Sequence, residues 1–375
     1  MAYVAIRGGA SAITGAAQAL ELLRARSADV QQPLDADVIA DQLHGLVSRL
    51  MSEGGVHHPR LAALAAKQAA GDTLEASFLL RAWRSTRPRL DNISLPDTTR
   101  MRCFRRISSA FKDVPGGQYL GPTADFSHRL LRYDLLDESP EAFRKALQPW
   151  LPGRPGRPVP DSFPKVLDAL RAEGLLPPKP TADPEPHDIT RTPLSMPAPR
   201  SAALMTMARG ETGGLLAIAY SSMRGYGEIH PTVAELRVGH VPVFLPHPDT
   251  GEMIEAGEVL MTECEVVAMF GKHDSDGAAN AHKSGKAPPT FGLGYGACFG
   301  HNEVKAISMA ILDQTMQQGL ANGILHPAQD PEFVLMHIDG IESMGFCTHY
   351  KMPHYVTFQS DLDRLRTARK NQGQS

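Results

Sequence analysis

The sequence contains few residues that could cross-link the chain covalently. Only four of its 375 residues are cysteines, and no two of them form a Cys-x-x-Cys pair. They lie far apart, at Cys103, Cys264, Cys298 and Cys347. This spacing argues against a disulfide scaffold and predicts a reduced, intracellular protein.

Long apolar runs and an excess of either charge are also missing. No run approaches the ~18 apolar residues that a membrane span needs, and the N-terminal apolar stretch is interrupted by Arg7 and two glycines. Lys and Arg number 38 against 41 Asp and Glu, which gives a net charge of −3. We therefore expect a cytoplasmic protein with no membrane and no nucleic acid among its partners.

The chain does have enough apolar residues, 42%, to bury a core, and its length suggests about two domains. We predict an α+β fold in three parts. Residues 1–148 form a mostly helical N-terminal domain. Residues 149–199 hold 14 of the 30 prolines and form a connection with one short helix at 162–173. Residues 200–375 form an α+β domain with a small antiparallel sheet.

Within the first part, residues 2–7 alternate like a short strand, and four helices are expected after them. They cover 10–26, 35–50, 59–70 and 73–84, with Asp35 and Asp72 as N-caps and Pro59 as a helix-opening residue.

In the last part, residues 200–222 are apolar, and their periodicity does not distinguish a helix from a strand. Strands are expected at 232–245, as two strands around a Gly239-His240 turn, and at 252–260 and 263–270. Helices are expected from 303 to a stop at Gly319, and from Asp330 to about 343.

Residues 100–112 form a basic segment with helical spacing. On a helix, Arg102, Arg105 and Arg106 would share one face. That face is either solvated or binds an anion, since guanidinium groups match phosphate oxygens.

The segment Gly225-Tyr-Gly-Glu-Ile-His-Pro231 is the first of three that could carry chemistry. Its glycines allow a tight turn that displays Glu228 and His230 ahead of a strand. Both residues are candidates for acid–base catalysis, and a plain turn with two ordinary polar residues is the alternative.

A second segment, Phe291-Gly-Leu-Gly-Tyr-Gly-Ala-Cys-Phe-Gly-His-Asn-Glu303, is rich in glycine and runs into a predicted helix N-terminus. Gly294 and Gly296 could bring backbone amides to a phosphate there. The spacing matches neither the P-loop nor the GxGxxG pattern, and a close backbone crossing is an equal alternative.

The third segment is Cys347-Thr-His-Tyr-Lys-Met-Pro-His354, in which His349 and His354 could present two imidazoles to one point. Two ligands are too few for zinc, which takes four, of which three usually come from protein in a catalytic site. The segment is either half of a metal site or two surface histidines near a turn.

Several long, irregular motifs resemble one family. They are the opening Tyr-Val-Ala-Ile-Arg-Gly-Gly, Lys67–Asp72, Arg105–Gly117, Gly225–Pro231, Phe291–Gly296 and His349–Gln359. The family is the I subunit of the bacterial carbon–phosphorus lyase core complex, which acts in phosphonate catabolism. The resemblance runs from residue 1 to about 365.

The resemblance implies a cytoplasmic subunit that assembles with the G, H and J subunits. With the G, H and L subunits it would displace adenine from C1′ of ATP by an alkylphosphonate, giving ribose 1-phosphonate 5-triphosphate. Alone it would act as a purine nucleosidase on ATP or GTP, each as its magnesium complex. The family's metal-binding histidines map onto His349 and His354, which implies zinc or a similar divalent ion at the interface with the J subunit.

The general acid and base do not follow from the resemblance. Chemistry alone suggests Glu228 and His230, with Glu235, Glu303 and Asp339 as rivals, and phosphate contacts from Arg102, Arg105, Arg106, Gly294 and Gly296. The alternative function is a scaffold that contributes half of an interfacial metal site. Because residues 205–220 are apolar, we expect them to face another chain.

Overall fold

The computed structural model of the chain describes residues 9–24, 32–89, 96–150, 164–177, 185–226, 230–269, 290–352 and 354–373. The helices are α1 Gly9–Leu22, α2 Ala36–Gln42, α3 His44–Gly54, α4 Pro59–Gln68, α5 Thr73–Ser85, α6 Pro140–Leu147, α7 Val166–Ala172, α8 Arg200–Arg209, α9 Thr212–Ser221, α10 Glu303–Asn322, α11 Pro331–His337, α12 Gly340–His349 and α13 Tyr355–Gln372. The strands are β1 Arg102–Ile107, β2 Thr232–Pro246, β3 Met253–Met269 and β4 Phe291–Phe299. The predicted strand at 2–7 lies outside the described residues.

Helices α2 to α5 form the expected helical N-terminal group. Asp35 and Asp72 accept hydrogen bonds from backbone amides of the first turns of α2 and α5, and Pro59 opens α4. The prediction of one continuous helix over 35–50 is wrong. The backbone at Leu43 leaves the helical region and separates α2 from α3.

Strands β1 to β4 form one antiparallel sheet in the order β1-β2-β3-β4, which confirms the predicted α+β class. The expected turn at Gly239-His240 is wrong: β2 runs straight through it, and β3 likewise replaces two predicted strands. A Cβ atom on Gly239 would lie 2.3 Å from the Arg102 carbonyl oxygen. The glycine therefore serves the close approach of β1, not a turn.

Helix α10 packs across one face of the sheet and forms the main core with α8 and α9. The core contains Met207, Leu215, Leu236, Val266 and Met309. The predicted stop at Gly319 is wrong, because α10 continues to Asn322. A Cβ atom on Gly319 would lie 2.4 Å from the Gln329 carbonyl oxygen, so this glycine allows a neighbouring turn to pack closely.

Two helices replace the one predicted from Asp330 to 343. Asp330 caps α11 as expected, but α11 ends at His337. Asp339 then caps α12 by accepting from the amides of Ile341 and Glu342. A second aspartate cap therefore restarts the helix after only two residues.

The proline-rich connection contributes α7, whose Leu167 and Leu170 pack with Ala234 and Val267 of the sheet. β1 lies before this connection and pairs with β2, which lies after it. The sheet thus uses residues from both sides of the predicted boundary, and the division into domains stays a prediction. In the described part of the chain, no helix is long and apolar enough to cross a membrane.

Candidate functional site

The two imidazoles singled out in the sequence converge. His349 is the last residue of α12 and His354 precedes α13, so a short turn brings them together. Their Nε2 atoms are 3.2 Å apart and both side chains are exposed. His354 Nδ1 lies 2.6 Å from the Met352 carbonyl oxygen. Because a carbonyl only accepts, Nδ1 carries the proton, and in the neutral ring Nε2 presents a lone pair.

This arrangement fits two ligands of a metal ion. Two Zn–N bonds of 2.0–2.1 Å at a tetrahedral angle place the nitrogens about 3.3 Å apart. A backbone carbonyl that holds the second ring nitrogen is a usual orienting contact for a ligand histidine. In the described ranges no group of three His, Cys, Asp or Glu side chains could hold a metal. A complete site therefore needs ligands from elsewhere.

Cys347 does not complete the pair in this structure. It lines a cavity of about 460 Å³ beside α12, together with Glu211, His337, Thr348 and Lys351. The cavity thus lies against the helix that ends in His349, and its size is within the range of small-molecule sites.

The surface around the histidines is unusually apolar. Large exposed side chains lie on both sides of the pair in the sequence, namely Phe346, Tyr350, Met352, Tyr355, Val356 and Phe358. None of the described side chains of α13 is buried. A second apolar set lies between β1 and α6, where Phe126 and Leu131 are each about 80% exposed.

The apolar residues expected to face another chain are mostly internal. Met207, Leu215 and Ala219 belong to the main core, whereas Leu216 and Tyr220 are exposed. Two runs of exposed apolar side chains, at 126–136 and 346–358, lie outside the predicted segment.

The arginine segment is a strand, so the helical prediction for 100–112 is wrong. Arg105 lies opposite Val238 and Arg106 opposite Arg237, which directs these two neighbours to opposite faces of the sheet. Arg105 is buried against Glu303 and Asp125, and Arg106 against Glu235. Arg102 is exposed and pairs with Glu258. The three guanidinium groups do not share one face.

The glycine-rich segment is strand β4, not a loop. Cβ atoms on Gly294 and Gly296 would lie 2.0 and 2.2 Å from the carbonyl oxygens of Ala310 and Ala306 in α10. The structure therefore has the close backbone crossing, which was the alternative to a phosphate loop.

Of the predicted acid–base pair, one residue lies among the described residues. His230 is exposed just ahead of β2, and Glu228 lies outside the described residues. Among the rival carboxylates, Glu235 is buried against Arg106, Asp339 caps α12 and pairs with Arg81, and Glu303 bonds His301 and Arg105.

The sheet face opposite α10 carries a group of buried charges that the sequence did not predict as a group, although Arg106 and Glu235 were named separately. We call it the charged face, and it comprises Arg106, Glu235, Arg237, Glu263, Glu265 and Tyr295, with Lys165 packed over it. The alternation Glu-x-Arg in β2 and Glu-x-Glu in β3 was the available signal, since residues two apart in a strand share a face.

Glu263 accepts hydrogen bonds at both of its carboxylate oxygens. Its Oε1 accepts from Lys165 Nζ at 2.8 Å, Tyr295 OH at 2.9 Å and Thr98 Oγ1 at 2.7 Å, and its Oε2 accepts from Arg237. Burial alone would raise the pKa of Glu263, but the charges of Arg237 and Lys165 outweigh it and hold the pKa at about 2.

Glu265, two residues along the same strand, is bonded on one side only. Its Oε1 accepts from Lys165 Nζ at 3.2 Å, while its buried Oε2 has no hydrogen-bond partner in the described chain. Burial, and then the charge of Glu263, raise the pKa of Glu265 to about 6, against the opposing effect of Lys165. The two carboxyl groups therefore take up protons in different pH ranges, Glu265 before Glu263 as the pH falls.

One family of known proteins matches nearly the whole chain. The sequence profile of the family described as bacterial phosphonate metabolism protein (PhnI) matches residues 2–372. The chain belongs to this family.

Individual relatives cover almost the whole chain. It is 43% identical over 371 residues to the alpha-D-ribose 1-methylphosphonate 5-triphosphate synthase subunit PhnI of Escherichia coli K12, covering 99% of each chain. It is 41% identical over 375 residues to the protein of the same name from Rhizobium meliloti 1021, covering 98% of this chain and 95% of the relative. It is 64% identical over 367 residues to the provisionally named C-P lyase subunit protein HtxH of Stutzerimonas stutzeri, covering 98% of this chain and 96% of the relative.

Proposed function

We propose that this chain is a subunit of a carbon–phosphorus lyase complex that displaces adenine from C1′ of ATP by an alkylphosphonate. The product is ribose 1-phosphonate 5-triphosphate. The observation that carries the proposal is near full-length similarity to two synthase subunits named for the methylphosphonate form of that product. Alone, the chain would release the purine from ATP or GTP.

The reaction needs three kinds of group. A carboxylate must stabilise the oxocarbenium-like sugar, a proton donor must assist the departing purine, and cations must hold the triphosphate. Glu228 and His230 stay proposed for the first two tasks. Arg102 is the exposed member of the proposed phosphate-binding arginines, whereas the buried Arg105 and Arg106 would have to exchange their carboxylate partners for phosphate.

We assign half of a divalent metal site, for zinc or a similar ion, to His349 and His354. The convergent Nε2 atoms and the Met352 carbonyl contact support this assignment. The metal would supply Lewis-acid stabilisation of phosphate or phosphonate oxygens. A partner chain, which we propose to be the J subunit, would complete the ligand set, and the exposed apolar surface around the pair suits such an interface.

The G and H subunits complete the proposed assembly, with the L subunit for ribosyl transfer and magnesium with the nucleotide. All would act in the cytoplasm. The second candidate function is a scaffold that supplies half of the metal site and no catalysis. The observation that favours it is the incomplete ligand group in the described chain.

Base release by the purified single chain distinguishes these functions. The chain is incubated with ATP or GTP and magnesium, and free adenine or guanine is measured by chromatography. Release above the uncatalysed rate supports the catalytic function. Release only when the G, H and L subunits and a phosphonate are added supports catalysis by the assembly, and no release under either condition supports the scaffold.

Metal content provides a separate test. We expect the assembled complex to carry about one zinc-like ion per copy, and the double change His349→Ala and His354→Ala to remove it, because each ring supplies one ligand. His128→Ala, at an exposed histidine before α6, is the matched control and should keep the ion. Equal metal in all three complexes by elemental analysis would contradict the assignment.

A further inference from the structure

Two arginines of the helical part of the protein lie side by side without an acidic partner among the described residues. Arg84 is in the last turn of α5, and Arg209 is in the last turn of α8. Arg84 Nη1 and Arg209 Nε each lie 3.4 Å from the position that a Cβ atom on Gly55 would occupy. The two guanidinium groups are therefore neighbours, and both border the glycine that follows α3.

The pair can be reached from solvent. Neither guanidinium group donates a hydrogen bond to a described residue, and of their nitrogens only Arg209 Nε is both buried and unpaired. The other nitrogens of the two groups are unpaired as well, so they keep contact with solvent. This agrees with the partial exposure of both side chains. A ligand can thus contact the outer nitrogens of both groups without opening the protein interior.

The carboxylates whose charge acts on Arg209 already have partners of their own. They are Asp188 and Asp339. Asp188 forms an ion pair with Arg89 at 2.9 Å, and Asp339 forms one with Arg81 at 2.6 Å. In the described part of the chain, the neighbouring arginine pair therefore adds two positive charges that no carboxylate balances.

Helix ends account for only part of this arrangement. The C-terminal carbonyl groups of α5 and α8 favour a positive charge, but each helix supplies only about half of an elementary charge. Burial lowers the pKa of Arg209 to about 10, and the charges of Arg81 and Arg84 act in the same direction. Burial, and then the charge of Arg89, also lower the pKa of Arg84. Both groups stay protonated at neutral pH, so their excess charge calls for an anion.

We propose that Arg84 and Arg209 bind the phosphate or phosphonate group of a small anion. Guanidinium groups donate paired hydrogen bonds whose geometry matches the oxygens of such a group. A dianion against both arginines would balance two charges at once, which a single carboxylate would not. Inorganic phosphate, an alkylphosphonate and the terminal phosphate of a nucleotide share this chemistry. The site lies on α5 and α8, whereas the arginines considered above for the triphosphate lie on β1, so it goes beyond the proposed function.

Calorimetry on the full-length chain, with inorganic phosphate as the probe, tests the site. We expect wild type to bind phosphate, and the double variant Arg84→Met with Arg209→Met to bind it at least about tenfold more weakly, because hydrogen bonds from charged groups are lost. Arg369→Met removes the same charge from an exposed arginine of α13, so it is the matched control and should bind like wild type. No binding by wild type, or equal binding by wild type and the double variant, would overturn the proposal.

Urea denaturation gives a second readout. Added phosphate should raise the unfolding midpoint of wild type and of Arg369→Met more than that of the double variant, because a ligand that binds only the folded state stabilises it. Potassium chloride at equal ionic strength is the salt control. An equal rise in all three proteins would mean that phosphate acts as a general stabilising salt, which would also overturn the site. If the double variant does not fold, Arg84→Met alone provides the same comparison.

Methylphosphonate and ATP, titrated in the same way, distinguish the sources of the anion. If ATP binds more tightly than the small anions and loses this advantage in the double variant, the site holds a nucleotide phosphate. If ATP has no such advantage, the site holds the free oxyanion. None of these measurements involves base release. A chain that releases no base in any assembly but binds phosphate through the pair keeps this site and loses the proposed function, and base release without such binding does the reverse.

Discussion

The two faces of the four-stranded sheet are both buried, but they are built from opposite chemistry. The face under α10 consists of Leu236, Cys264, Val266 and the glycines of β4, in close van der Waals contact with the helix. The charged face contains interlocked ion pairs. The comparison shows that a buried position can hold either an apolar or a charged side chain. A charged side chain can be buried when an oppositely charged partner lies beside it.

The charged face should give the largest effect when a pair is broken. Arg106→Met would leave Glu235 buried at 2% exposure without its ion partner. We expect a loss of about 3–5 kcal/mol in the free energy of unfolding, measured by urea denaturation.

The double variant Arg106→Met with Glu235→Leu is the control for that experiment. It removes both charges together and should recover most of the loss, because no uncompensated charge remains. If Arg106→Met alone lowers the free energy of unfolding by less than about 1 kcal/mol, the buried ion pair contributes no more than a surface pair, which would contradict this description of the charged face.

The apolar face should respond to added volume. Gly296→Ala places a Cβ atom 2.2 Å from the Ala306 carbonyl oxygen, so α10 must move away from β4. We expect a loss of about 1–3 kcal/mol in the free energy of unfolding. Gly45→Ala in α3, where no atom lies within 4 Å, should cost nothing and could gain up to about 1 kcal/mol. If both variants change the free energy of unfolding by the same amount, close helix–strand packing is not the role of Gly296.

The smallest expected effect concerns Lys305, a fully buried charge on α10 with no carboxylate among its hydrogen-bond partners in the described residues. Its Nζ donates to Ser52 Oγ, and burial lowers its pKa to about 8. The unfolded chain therefore binds more protons between about pH 8 and 10.5, and this group makes the folded state more stable as the pH rises through that window.

Lys305→Met should remove this pH dependence. We expect a gain of about 1 kcal/mol at pH 7 that shrinks towards pH 10, measured as the difference in urea midpoint from wild type. Lys370→Met, at an exposed lysine of α13, should show no such trend. A gain independent of pH would mean that Lys305 is not the group responsible.

Local signals predicted much of the fold. Caps at Asp35, Asp72 and Asp330 and the opening Pro59 placed helix starts correctly, because a cap depends on neighbours within three residues. The two histidines five residues apart were singled out as a pair that could meet at one point, and their contact lies within a short turn. The predictions at Gly239 and Gly319 were wrong because each glycine makes room for a backbone segment that is distant in the sequence or outside its own helix.

The sequence by itself determined the α+β class, the helical N-terminal group and the histidine pair, since each depends on hydrophobic period or short-range contact. Only the tertiary structure decided that Arg105 and Arg106 of β1 are buried in ion pairs and that α10 packs against the glycines of β4. It alone joined Lys165 to Glu263 and Glu265, about a hundred residues away. The physical reason is that ion pairing and steric closeness act between atoms in space, and residues far apart in the chain become neighbours only when the sheet forms.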